Sequence, residues 1–184
     1  MNQDYEILQS AIHLPTHEEA IDVFKTVNNI NASYKNTGHN ILHHYINSYS
    51  YDSNKHLRIK DFYTLVQLGV DVNSHSMEGQ TPLQYCCNTI NYEAAKILIE
   101  NGAEIDSVDN WGRTPLFVAI MDYRGQKDLL KLILLLLEKG ANLDKPVNSG
   151  KTPRDVAKMV QRMFLRGHPN STKEWDLSAY IKLD

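Results

Sequence analysis

Gly79-Gln80-Thr81-Pro82-Leu83-Gln84 returns 33 residues later as Gly112-Arg113-Thr114-Pro115-Leu116-Phe117, and 38 residues after that as Gly150-Lys151-Thr152-Pro153-Arg154-Asp155. A worn copy, Gly38-His39-Asn40-Ile41-Leu42-His43, stands 41 residues before the first. A second phrase keeps step with it. Leu68-Gly69-Val70-Asp71-Val72-Asn73, Asn101-Gly102-Ala103-Glu104-Ile105-Asp106 and Lys139-Gly140-Ala141-Asn142-Leu143-Asp144 each end six residues before the next glycine of the first phrase. Val27-Asn28-Asn29-Ile30-Asn31, ending seven residues before Gly38, reads as an eroded copy. Two phrases in fixed phase define a repeat, and a repeat is a structural unit that buries its apolar face only by stacking on its neighbours.

The local chemistry gives the unit its shape. Threonine at 81, 114 and 152 supplies a side-chain oxygen for the orphan amides at a helix start, and the proline that follows each threonine suits the first helical position. Leu83, Cys86 and Cys87 place small and medium apolar groups on the first helix. A second helix is expected from Tyr92 to Glu100, carrying Ala94, Ala95, Ile97, Leu98 and Ile99, and Gly102 ends it in the left-handed conformation that other residues resist. The six residues after each Asn73-type position then form a projecting turn.

A period near 33 residues with Thr-Pro-Leu opening a helix resembles the ankyrin repeat. The resemblance covers roughly residues 20 to 160. It implies an all-α solenoid of stacked helix-turn-helix units with projecting β-turns. A single domain is expected, with an N-terminal helical cap at 1–37, repeats at 38–78, 79–111 and 112–149, and a terminal repeat with its cap at 150–184. Against the family period the first repeat is eight residues longer and the third five longer, the additions falling between the two helices near 49–55 and 123–127. The first repeat lacks the Thr-Pro pair, and the fourth has Arg154 and Asp155 where Leu and His are usual. Thr16 and Glu19 form an expected capping box for a helix from Glu18 to Val27. A short last helix, Lys173 to Lys182, is expected to cover the final repeat with Trp175, Leu177, Tyr180 and Ile181.

Composition sets outer bounds. The 184 residues carry a net charge of −3, 42% hydrophobic and 22% charged residues, ordinary values for a soluble domain with its own core. The longest apolar run, Leu132 to Leu137, is far shorter than a bilayer span. The polar, acidic start Met1-Asn2-Gln3-Asp4-Tyr5-Glu6 does not read as a signal peptide, so Asn31-Ala32-Ser33 and Asn170-Ser171-Thr172 read as chance matches to a glycosylation acceptor. The two cysteines, Cys86 and Cys87, are adjacent and unsuited to a disulfide with each other. A cytoplasmic location is expected, or a host cytosol for an exported protein. The usage of Asn, Ile, Lys and Tyr fits an AT-rich microbial genome.

Motifs of chemistry come close and fail. Ser149-Gly150-Lys151-Thr152 imitates the end of a phosphate-binding loop, but Lys145 stands where its first glycine is needed, and the same loop recurs as Gly112-Arg113-Thr114. His17-Glu18-Glu19-Ala20-Ile21 has Ile21 where a zinc-protease helix needs its second histidine. His39, His43 and His44 are grouped without a third ligand at metal spacing, and the resemblance gives His43 a bond to the neighbouring turn instead. The leucine-rich stretch Leu129 to Leu137 reads as a buried second helix. No catalytic residue, cofactor or metal is assigned.

The resemblance implies a protein partner docked on the projecting turns and on the concave face of the first helices. By position the turn residues are Tyr34, Asn36 and His39; then His75, Met77, Glu78 and Gln80; then Asn110, Trp111 and Arg113; then Asn148. Ser33, Val108, Pro146 and Lys151 are turn residues by the same count. Asn47, Asn88, Met121 and Asp122 are the first-helix positions facing the concavity. Trp111 beside Arg113 supplies the residue types enriched at binding hot spots. The ridge mixes Lys35, Glu78, Asp109, Arg113 and Lys145, whereas a nucleic-acid groove is predominantly basic. The expected role is a monomeric, non-enzymatic adaptor that binds one protein, without nucleic acid or membrane. The alternatives are an immunity protein or inhibitor blocking a toxin or enzyme, and an effector engaging a host protein. An enzyme on this scaffold and a self-associating structural unit are the remaining readings.

Overall fold

A computed structural model describes residues 3–49, 55–167 and 177–181. Among these residues the chain forms helices α1 (Gln3–Ala11), α2 (His17–Phe24), α3 (Ile41–Tyr49), α4 (Lys55–Gln67), α5 (Pro82–Thr89), α6 (Tyr92–Glu100), α7 (Pro115–Asp122), α8 (Lys127–Glu138) and α9 (Pro153–Gly167), with a short 3-10 turn at Leu177–Ala179. The only β feature among them is one isolated bridge between Ser33 and Asn40. Helices α1, α3, α5, α7 and α9 pack in sequence as one row, and α2, α4, α6 and α8 as a second row behind it. This is an all-α repeat solenoid.

The helix starts are built as their residues dictate. Thr81 accepts from the Gln84 amide, and the Gln84 side chain returns a bond to the Thr81 amide, a complete capping box. Thr114 accepts from the Phe117 amide at 3.1 Å, and Thr152 from the Asp155 amide at 3.2 Å. Each cap stabilises its helix by about 1 kcal/mol. Asn40 does the same work in the first repeat without threonine or proline: its Oδ1 accepts from the Leu42 and His43 amides at 3.1 and 3.3 Å. Thr16 forms half of the expected box, accepting from the Glu19 amide at 3.2 Å, and its helix ends at Phe24 rather than Val27.

Helices of eight residues do not persist alone in water, so the packing between rows holds them. Leu83, Cys86, Leu98, Leu116, Ile120 and Leu136 have no exposed surface. In α8, Leu129, Leu132, Ile133, Leu135 and Leu136 are buried while Lys131 and Glu138 face water, so the leucine-rich stretch is a core helix. Gly102 ends α6 at φ 89°, as its position requires. Ile90, in the two-residue link between α5 and α6, also takes a left-handed φ of 57°. A branched residue there costs roughly 1–2 kcal/mol, offset by its packing on the core.

The ends close differently from the middle. At the N-terminal end His17 Nδ1 lies 2.5 Å from Asp61 Oδ1 and ties α2 to α4. At the other end Leu177 and Ile181 are buried, and the 3-10 turn packs on α9 while Tyr180 stays exposed. The described part of the expected last helix is thus a single 3-10 turn; Trp175 lies outside the described residues, as do residues 50–54 of the first inserted segment. In the second, Tyr123 is buried and Arg124 bonds the carbonyls of Met121 and Tyr123.

Candidate functional site

The turns are joined to one another by a repeated set of hydrogen bonds. The Met77 amide donates to the Thr37 carbonyl at 2.7 Å, the Asn110 amide to Glu78 at 3.1 Å and the Asn148 amide to Trp111 at 3.0 Å. Asn110 Nδ2 reaches the Met77 carbonyl at 3.0 Å, and Asn148 Nδ2 reaches the Asn110 carbonyl at 2.9 Å. A second ladder runs through the ends of the other phrase. Asn31 accepts from the Asp71 amide and donates to the Gly69 carbonyl; Asn73 does the same for Glu104 and Gly102. Asp106 accepts from the Asn142 amide but has no proton to donate. Asp144, next in register, is held instead by Arg154 at 2.7 and 2.9 Å.

These ladders fix a rigid ridge, and Trp111 stands on it. Trp111 is 49% exposed, with the Arg113 guanidinium 4.6 Å from its ring centroid. The buried Asp109 organises the pair: its Oδ1 accepts from the Trp111 and Arg113 amides, and its Oδ2 accepts from Arg113 Nε at 2.7 Å. A charged hydrogen bond and a cation–π contact therefore hold one arginine in one pose. Met77, on the preceding turn, is 67% exposed.

The other expected surface residues divide by what they touch. Asn36, Asn47, Glu78, Asn88, Met121 and Asp122 are exposed. Tyr34 is exposed while its ring packs 5.7 Å from that of Tyr5, whose hydroxyl pKa burial and the neighbouring Tyr34 push up to about 12. His75 is exposed and bonded to the Ser107 hydroxyl at 3.2 Å. Asn110 and Asn148 are exposed, but their amides are committed to the neighbouring turns. Gln80 is a correction: it is buried, because its amide bonds the Ser76 hydroxyl and its carbonyl receives the Ser76 amide and His43 Nε2.

The histidine group is a structural joint. His43 is fully buried, with Nε2 3.1 Å from the Gln80 carbonyl and Nδ1 2.8 Å from Asn40 Oδ1. His39 stacks on it at 5.1 Å and shares a 2.6 Å hydrogen bond with the Tyr85 hydroxyl. Burial lowers the pKa of His39 and His44 and brings His43 down to about 4, against the opposing pull of the Gln80 carbonyl on His43. Burial also raises the Tyr85 hydroxyl, with Glu78 adding to it. Gln84 takes the place of His43 one repeat on, donating to the Arg113 carbonyl at 2.6 Å.

Sequence reasoning missed Tyr85, Met159 and Met163. Met159 and Met163 are 41% and 64% exposed on α9. Met159 was within reach of the register, since it follows Thr152 by seven residues as Met121 follows Thr114. Tyr85 gave no such signal, because its partner His39 lies 46 residues away.

Comparison with known proteins agrees with this geometry. A family model described as ankyrin repeats in three copies matches residues 53–147, more than half of the 184. A putative ankyrin repeat protein of Rickettsia conorii, RC0502, is 39% identical over 64 residues, covering 33% of this chain and 91% of that protein. The human transient receptor potential cation channel subfamily A member 1 is 30% identical over 74 residues, 40% of this chain and 6% of the channel. The potassium channel GORK of Arabidopsis thaliana is 36% identical over 69 residues, 38% of this chain and 8% of the channel. The chain thus spans a small fraction of these two channels and nearly all of the rickettsial protein. No helix among the described residues is long and apolar enough to cross a membrane. Repeated turns, two rows of helices and a matched family model agree, and the chain belongs to the ankyrin-repeat family.

Proposed function

We propose that this chain is a non-enzymatic module that grips one protein partner across its turn ridge and the concave face of its first helices. Ankyrin repeats generally mediate protein–protein interaction, which supports the partner class. The observation that carries the reading is Trp111: a large ring left half in water on a rigid turn, with its arginine held in place by a buried carboxylate. Ordering a side chain before binding lowers the entropy cost of association, and Trp and Arg dominate binding hot spots. Polar and charged groups around the ring, Glu78 and Asn36 among them, suit a rim that sets orientation.

The test is capture from native cell extract on the immobilised chain, identification of the partner, and titration of that partner against wild type and Trp111→Ala. The expected loss is about 2 kcal/mol, close to 30-fold in Kd, with an unchanged circular dichroism spectrum. Wild-type affinity in a folded Trp111→Ala would show that the ridge is not the interface. A captured enzyme that loses activity in the complex would identify the module as an inhibitor.

A further inference from the structure

We propose that the C-terminal half of this surface receives the partner's apolar side chains, and that the segment seated there is acidic. The proposal rests on the protein-binding reading above and names the chemistry of what binds.

Met121 and Met159 stand at one register, each seven residues after the threonine that opens its helix, on helices α7 and α9 that pack side by side. Met163 lies one helical turn beyond Met159, on a helix of 15 residues where α5 and α7 have eight. Their exposures are 44%, 41% and 64%. The same register in the first two repeats holds Asn47 and Asn88, so the apolar strip begins at repeat three. Methionine is flexible and polarizable and repacks readily against a partner's side chains. In the first half, by contrast, this register is polar, and three of the polar groups near it are bonded within the chain: Tyr85 to His39, His75 to Ser107, Gln84 to the Arg113 carbonyl.

Charge around the strip selects the partner's sign. Arg124 is anchored on the Met121 and Tyr123 carbonyls, Arg162 is exposed on the turn of α9 that links Met159 to Met163, and Lys151 and Arg113 occupy the same place on successive turns. Arg113 is already paired with the buried Asp109; beside the other three cations stand two exposed carboxylates, Asp122 and Asp155, of which Asp155 already accepts from the Thr152 amide and hydroxyl. In a chain of net charge −3 this half of the surface has a surplus of cations. A segment with aliphatic or aromatic side chains on one face and Asp or Glu beside them satisfies both features, the carboxylates also speeding encounter.

The experiment selects a displayed library of random peptides, long enough to form a helix, on the full chain. Enriched peptides are then titrated against wild type, Trp111→Ala and the double variant Met121→Gln/Met159→Gln, each checked for fold by circular dichroism. Expected are enriched Asp and Glu beside large apolar residues, roughly tenfold weaker binding to the double variant, and affinity that falls with added salt. Neutral or basic enriched sequences, an absence of enrichment, or equal binding to the double variant would overturn it. Peptides lost on Trp111→Ala but indifferent to the methionine changes would leave the ridge reading standing and remove this one. A dimer in light scattering that the double variant dissociates would assign the strip to a second copy and overturn the acidic partner.

Discussion

The turn ladder makes a prediction that separates backbone strain from contact between repeats. Gly112 and Gly150 occupy equivalent turn positions with nearly the same φ, 77° and 81°. Alanine at either position takes a left-handed conformation at a cost of roughly 1–2 kcal/mol. Their surroundings differ. A Cβ on Gly112 would lie 2.6 Å from Asn148 Oδ1 and 2.9 Å from the Asn148 amide nitrogen, whereas one on Gly150 meets nothing within 4 Å. Because the near atoms include backbone, Gly112→Ala must push turn four away. That opens the Asn148 amide bond to Trp111 and the Asn148 carboxamide bond to Asn110. Two net hydrogen bonds of about 1 kcal/mol each bring the expected cost to about 3–4 kcal/mol, against roughly 1–2 kcal/mol for Gly150→Ala. Gly79, with the same clash against Asn110, should behave as Gly112 does. The assay is urea unfolding followed by far-ultraviolet circular dichroism, comparing midpoints at constant m. Equal losses for Gly112→Ala and Gly150→Ala would refute the claim that the turns are coupled through these rungs.

Three further outcomes are expected. His43 has a folded pKa of about 4 against 6.5 for the free group. Its folded value is depressed, so its neutral form's stabilisation is complete above pH 6.5 and is lost as pH falls toward 4, about 3 kcal/mol in all. His43→Gln, which copies Gln84 of the next repeat, should flatten that part of the stability profile, and a wild-type and variant profile of equal slope would remove the assignment. Asp106→Asn should stabilise by about 0.5–1 kcal/mol, because it restores the side-chain donor that Asn31 and Asn73 offer to the glycine carbonyl of the following phrase; a fall in denaturation midpoint would show that the charge matters more than the missing bond. Cys86 and Cys87 are fully buried with thiol pKa values pushed up by burial. They should react with a disulfide reagent at pH 8 only as fast as the repeat opens, and instant labelling of the native chain would contradict their burial.

Some of the molecule was readable before any coordinate. The Thr81 and Thr114 caps, the glycine that ends α6 and the fixed six-residue step between phrases all act within a few residues, so their spelling carries their geometry. The same logic exposed the worn first repeat, where Asn31 and Asn40 perform the work of Asn73 and Thr81. It also marked Trp111 and Met77 as exposed turn residues. Where the reading failed, the cause was distance along the chain. Gln80 was placed on the surface because its own turn is exposed; it is buried because His43, 37 residues earlier, packs against its carbonyl. Asn110 and Asn148 lost their free amides to turns 33 and 38 residues before them.

The sequence by itself determined the repeat, its caps, its period and the residue types offered at each turn, because hydrogen bonds inside one turn and the φ of a glycine are local properties. Only the tertiary structure decided which of those side chains remain available. That choice depends on neighbours one repeat away, which bury Gln80, occupy Tyr85 and leave the methionine strip of α7 and α9 in water.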